Sequence, residues 1–154
     1  MPTRWEGTGR DEVPRALRRW FVVHFVVDWA FALPLLVVPV AFLRALGWTV
    51  VDPMAARGVA AALVGIGTQS LLSRNAGAAV YRELLSLKIV WSSTATLGFA
   101  WTTLTTGPPV GWVFVVIFAL FTVLWLYWWR RLANEAGAAM KSKDPWAAPT
   151  PGDR

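Results

Sequence analysis

Three ionisable side chains stand inside apolar runs of the chain: His24 and Asp28 within residues 20–43, and Lys88 within residues 80–103. A charge carried into hydrocarbon is costly, so each of these groups needs a partner or a task. Asp28 follows Trp20 by eight residues, and Lys88 follows Val80 by eight. At 1.5 Å per helical residue, both lie about 12 Å beyond those points, which places an acid and a base at one depth. His24 lies one helical turn from Asp28 on the same face. Thr68 and Gln69 end the second apolar run in the same half, and Glu83 precedes Lys88 by one to two turns. His24, Asp28, Gln69, Glu83 and Lys88 thus form one candidate polar layer.

Two chemistries suit such a layer. A buried ion pair with hydrogen-bonded neighbours can fix helix register and orientation. The same groups could line a polar pocket or proton pathway open to the cytoplasm, with Asp28 and His24 exchanging protons. Lys88 would then hold Asp28 ionised or bind an anionic headgroup. Alternatively Lys88 snorkels to the cytoplasmic interface, where Arg82 and Glu83 already sit. Other chemistries are excluded by residue count. One His is too few for bis-histidine haem or for a zinc or di-iron site. The absence of Cys removes disulfides, thiolate metal sites and thiol redox chemistry. No Gly-rich phosphate loop follows a strand, and four helices without inverted similarity do not make a complete alternating-access transporter. No cofactor is implied.

The elements that must position these residues follow from composition. The 154 residues are 56% hydrophobic and 16% charged, with eleven Trp. A soluble domain carries about 25% charged residues, so this composition belongs in a membrane. A span needs about 20 apolar residues, and four segments qualify: residues 20–43, 54–72, 80–103 and 110–129. Asp52-Pro53 is a natural helix start. Thr105 to Pro109 form a turn with strong breakers. Residues 1–19 form a juxtamembrane segment with a short helix from Val13-Pro14, and residues 133–154 read as a disordered tail. A cleaved signal peptide ending near Ala30-Phe31-Ala32 is the competing reading of the N-terminus. The apolar run continues well beyond that triplet, which argues for a span.

Charge placement sets the orientation. Thirteen of the fifteen basic residues fall on the side that holds both termini and the loop between the second and third spans. They are Arg4, Arg10, Arg15, Arg18, Arg19, Arg74, Arg82, Lys88, Arg130, Arg131, Lys141, Lys143 and Arg154; Arg44 and Arg57 fall on the other side. The positive-inside rule makes both termini cytoplasmic. Trp20, Trp128 and Trp129 at one interface, and Trp48, Trp101 and Trp112 at the other, form an aromatic belt. The net charge of +6 therefore records membrane orientation. It does not indicate a nucleic-acid partner, since the basic residues are split among three segments and no base-reading motif is present.

Finer features concern packing. Ala61 and Gly65 have small-xxx-small spacing, which serves packing inside the bundle or a homodimer face. Ser92, Ser93, Thr94 and Thr96 follow Lys88 as a polar stripe. Pro34 and Pro39 should bend the first span and free carbonyls that a neighbour must satisfy.

Pro39 to Gly47, Arg57-Gly58 with Gly65 and Gly67, and Tyr81-Arg82 with Leu84 to Lys88 resemble small four-helix membrane proteins of the DoxX-like kind over residues 20–132. That resemblance implies a four-helix bundle, in a family that includes accessory subunits of membrane oxidoreductases. No catalytic residue set carries over. The expectation is an all-α, four-transmembrane-helix bundle with short loops in a prokaryotic cytoplasmic membrane, with both termini inside. Its expected role is non-enzymatic, as an accessory or as a binder of a lipid or small molecule, and its expected partners are the lipid bilayer and a second copy or larger membrane complex. The alternative is a small membrane enzyme or proton-coupled carrier using the His/Asp/Lys cluster.

Overall fold

The computed structural model describes residues 13–142, with side-chain environments described through residue 138. Among them are five α-helices and no strand: α1 (Arg15–Val37), α2 (Pro39–Ala45), α3 (Pro53–Leu72), α4 (Ala78–Thr105) and α5 (Gly111–Ser142). A 3-10 turn, Ser73–Asn75, joins α3 to α4. Arg4, Arg10, Lys143, Arg154 and the tail from residue 143 onward lie outside the described residues. The expected juxtamembrane helix and first span form one helix, beginning directly after Pro14.

Helix boundaries follow local chemistry. Pro34 sits inside α1, whereas Pro39 ends it. A residue preceding proline is pushed out of the α region, and Val38 accordingly has φ −131° and ψ 52°. The break frees carbonyls, and Arg57 Nε on α3 donates to the Leu36 carbonyl at 3.1 Å. Asp52 caps α3 by accepting from the Met54 and Ala55 amides. Gly47 ends the turn after α2 at φ +95°, a conformation that L side chains rarely adopt. The structure extends α5 to Ser142, beyond residue 129 and into the 133–154 segment expected to be disordered. Alanines favour helix in that extension, and an Arg131–Glu135 pair lies one turn apart at 3.1 Å.

The helices form two antiparallel pairs, α1 with α3 and α4 with α5, each in close contact along its length. Trp29 Nε1 donates to Thr68 Oγ1 within the first pair, at 3.2 Å. Phe99 stacks on Phe114 and Phe118 within the second, with centroids 5.2 and 5.5 Å apart. The two pairs meet in a core of Val13, Leu17, Phe21, Tyr81, Leu85, Trp125, Trp128 and Leu132 at the end of the bundle that carries most of the described arginines, hereafter the basic end. A second core of Ala32, Leu35, Ala56, Ala60 and Leu63 lies between α1 and α3 toward the opposite end.

Outward faces are apolar. Val26, Leu33 and Val37 on α1, Val90, Leu97 and Trp101 on α4, and Val116, Leu120 and Val123 on α5 are all exposed. Such a surface suits hydrocarbon rather than water. Three stretches are long and apolar enough to cross a membrane: Arg15–Val37, Pro53–Asn75 and Gly111–Ala138. α4 is long enough, but its charged first turns and its Ser and Thr content lower its hydropathy.

Small residues divide by face. Ala61 and Gly65 are exposed, so packing inside the bundle relies instead on Ala56, Ala60 and Gly67. A Cβ on Gly67 would lie 2.8 Å from the Asp28 Cβ, whereas one on Gly65 would meet nothing within 4 Å. Gly67→Ala should therefore cost about 1–3 kcal/mol through overpacking. Gly65→Ala should be neutral, or stabilise by up to about 1 kcal/mol through helix propensity. Thermal unfolding of the purified protein in detergent checks both; equal effects would remove the close approach at Gly67.

Candidate functional site

Helical spacing brings the polar layer together. On α1, His24 and Asp28 are one turn apart and face inward, and both are 5% exposed. Lys88 on α4 is 2% exposed, so it does not snorkel. Its ammonium donates to Ser70 Oγ on α3 at 2.7 Å and approaches His24 Nδ1 at 3.0 Å. Nδ1 thus stands between the Lys88 ammonium and the Asp28 carboxylate, and the ring tautomer sets which of the two it bonds. The Phe21 and Trp125 rings, 5.0 and 5.3 Å from Lys88 Nζ, complete the surroundings with cation–π contacts. Ser70 Oγ in turn donates to the Ile66 carbonyl at 2.7 Å.

Asp28 and Lys88 share no direct ion pair among the described residues; His24 stands between them. Asp28 Oδ2 lies 2.8 Å from His24 Nδ1. That nitrogen is engaged by Lys88, and Oδ2 is buried without a hydrogen-bond partner. The two atoms are at hydrogen-bond distance, but their angles fall outside hydrogen-bond geometry. Asp28 is pressed against α3 at Gly67, the one place where α3 presents no side chain to it.

The structure brings together His24, Asp28 and Lys88, and leaves out Gln69 and Glu83. Gln69 is exposed and donates to Ser73 Oγ at 3.2 Å. It is offset by about 100° from its neighbour Ser70, which takes the inward position. Glu83, five residues before Lys88 and so about 140° away around the helix, is exposed. Ser70 was the missed member. Its signal was its spacing, three residues after Gly67 on the same face.

On the side of the layer away from the basic end, the two helix pairs border a partly open cavity of about 320 Å³. Its lining repeats helical periods: His24, Asp28, Phe31 and Leu35 from α1; Trp91, Ala95 and Phe99 from α4; and Phe114, Phe118 and Phe121 from α5. α2 and the segment after it contribute Phe42 and Trp48, and α3 contributes Ala56, Val59 and Leu63. The volume falls within the range of about 300–1,000 Å³ usual for small-molecule sites. Only His24 and Asp28 interrupt the apolar wall, so the site has one polar end and a long aromatic body. Toward the basic end the Phe21, Tyr81 and Trp125 core fills the space beside the layer, where an open polar pocket was one expectation.

Removing one charge from this layer should destabilise the bundle. Lys88→Met would leave Asp28 as an uncompensated buried carboxylate, at a cost of about 3–5 kcal/mol. Adding Asp28→Asn to Lys88→Met should recover more than half of that loss. Thermal or denaturant unfolding of the four variants in one detergent measures the coupling. Strict additivity of the two substitutions would show that the charges do not depend on each other.

Comparison with protein-family models, curated proteins and solved structures finds no match to this chain.

Proposed function

We propose that this multi-pass membrane protein holds a lipophilic small molecule between its two helix pairs, without transforming it chemically. The cavity carries this reading: its aromatic wall ends at a fixed, buried Asp28/His24 pair. A few polar groups within an otherwise apolar pocket orient a ligand. The alternative of a small membrane enzyme or proton-coupled carrier has less support. The Phe21, Tyr81, Leu85 and Trp125 core stands between the layer and the basic end.

The same proposal takes α4 as a fourth span. Its hydroxyls return to their own helix: Ser92 to the Lys88 carbonyl, Thr96 to the Ser92 carbonyl and Thr94 to the Val90 carbonyl. Bonded in this way they need no water, so hydropathy overstates the polarity of α4. With four spans, the basic residues at one end support a cytoplasmic side for both termini, in a prokaryotic membrane. A DoxX-like accessory role fits the same bundle, with the exposed Ala61 and Gly65 face available to a second copy or partner helix.

Ala95 lines the cavity from α4. Ala95→Phe should fill part of the space and abolish a co-extracted compound seen by native mass spectrometry of the unaltered protein, while the unfolding temperature holds or rises. Retention of the compound by the variant would place its site elsewhere. For topology, the Cys-free chain permits single-cysteine labelling in intact cells. Ser142→Cys should resist a membrane-impermeant thiol reagent and Thr106→Cys should react; the reverse pattern would invert the orientation.

A further inference from the structure

We infer that the cavity's ligand is a neutral, ring-bearing lipophilic alcohol or phenol whose hydroxyl donates to the Asp28 carboxylate. This rests on the cavity's being a ligand site, and it specifies the chemistry of the head. Asp28 is 5% exposed and lines the cavity; its Oδ2 is wholly buried against His24 Nδ1 and Gly67, which leaves Oδ1 as the acceptor that the cavity can reach, and no described residue donates to it. A buried carboxylate accepts through both oxygens and is costly to leave unpaired. His24 does not serve Oδ1, because its Nδ1 lies against Oδ2 and is shared with Lys88 Nζ. The group that completes Asp28 therefore comes from the cavity and must be a donor.

Charge balance selects a neutral donor. Asp28 and Lys88 already cancel across the neutral His24 imidazole. A cationic head would leave a net positive charge in an apolar interior, and an anionic head would face the carboxylate; both are costly at low dielectric. A hydroxyl adds a donor without adding charge. The body follows from the walls. Phe99, Phe114 and Phe118 all line the cavity, and with Phe31, Phe42 and Phe121 they make a wall rich in rings, which favours a ring-bearing body. An apolar cavity of 150 Å³ holds benzene. One of about 320 Å³ accordingly suits a two-ring skeleton.

Three probes of one skeleton test the head group: 2-naphthol, 2-methoxynaphthalene and 2-naphthylmethylammonium. Each is titrated into the detergent-purified full chain, with tryptophan fluorescence as the readout and Ala95→Phe as the control for uptake by micelles. The naphthol should bind about tenfold more tightly than the methyl ether, as a hydrogen bond to a charged group implies. It should also bind more tightly than the ammonium. In Asp28→Asn the preference over the ether should shrink to about threefold or less. Should that variant misfold, the naphthol-to-ether ratio in the unaltered chain decides the matter alone. Equal binding of naphthol and ether would overturn the donor requirement while leaving the cavity a ligand site. Tightest binding of the ammonium would overturn the neutral head. Failure of all three to bind above the Ala95→Phe control would overturn the cavity reading itself, and this proposal with it. A co-extracted alcohol displaced by naphthol marks a membrane-resident ligand; uptake without displacement marks one drawn from solution.

Discussion

The ammonium of Lys88 can remain buried only because three other helices surround it. α1 supplies the His24 nitrogen, α3 the Ser70 hydroxyl and α5 the Trp125 ring. Close backbone packing within the bundle is confined to the α1–α3 and α4–α5 pairs. The cation therefore links two units that otherwise meet through larger side chains. Moving either pair by a helical turn would strand the charge, so the layer fixes register along the bundle as well as proximity across it. Thr122 on α5 donates to Ser92 Oγ at 2.9 Å and continues the same polar seam within the second pair, from α4 to α5.

That constraint divides the interior into unequal halves. Toward the basic end, Phe21, Tyr81, Leu85 and Trp125 fill the space between the pairs, with Phe21 and Tyr81 ring centroids 4.5 Å apart. Toward the other end, the pairs are lined by rings that stack against their own partners and leave a cavity between them. α2 contributes Phe42 to that cavity, and Arg57 ties α3 to the carbonyl freed beside the Pro39 break. The break in the first span thus helps shape the hollow half.

The sequence made the helices and the central cluster readable, because apolar runs and an i, i+4 pair are local signals. Asp28 and Lys88 were placed at one depth by counting from Trp20 and Val80, and the structure sets both against His24. What counting could not supply was rotation about each helix axis. Gln69 and Ser70 differ by one residue and by roughly a quarter turn or more, yet only Ser70 faces inward. Glu83 lies at a plausible depth but on an outer face. The direction of the cavity was hidden for a related reason. Whether an aromatic stripe such as Phe114, Phe118 and Phe121 closes a gap or lines one depends on the separation of helices distant in sequence.

The hollow half is itself an argument about occupancy. An unfilled space of about 320 Å³ forfeits the contacts of the side chains that line it, which favours an occupant. Larger side chains at Ala95, Ala56 or Val59 would have filled it, as Phe21 and Trp125 fill the other half. Small residues instead face large rings across the gap, and the carboxylate at its end is held against Gly67 with its acceptors unsatisfied. Structural glue alone explains Lys88, His24 and Ser70, which are satisfied among themselves. It does not supply a donor to Asp28 Oδ1, which borders the cavity, and a donor arriving through that space does.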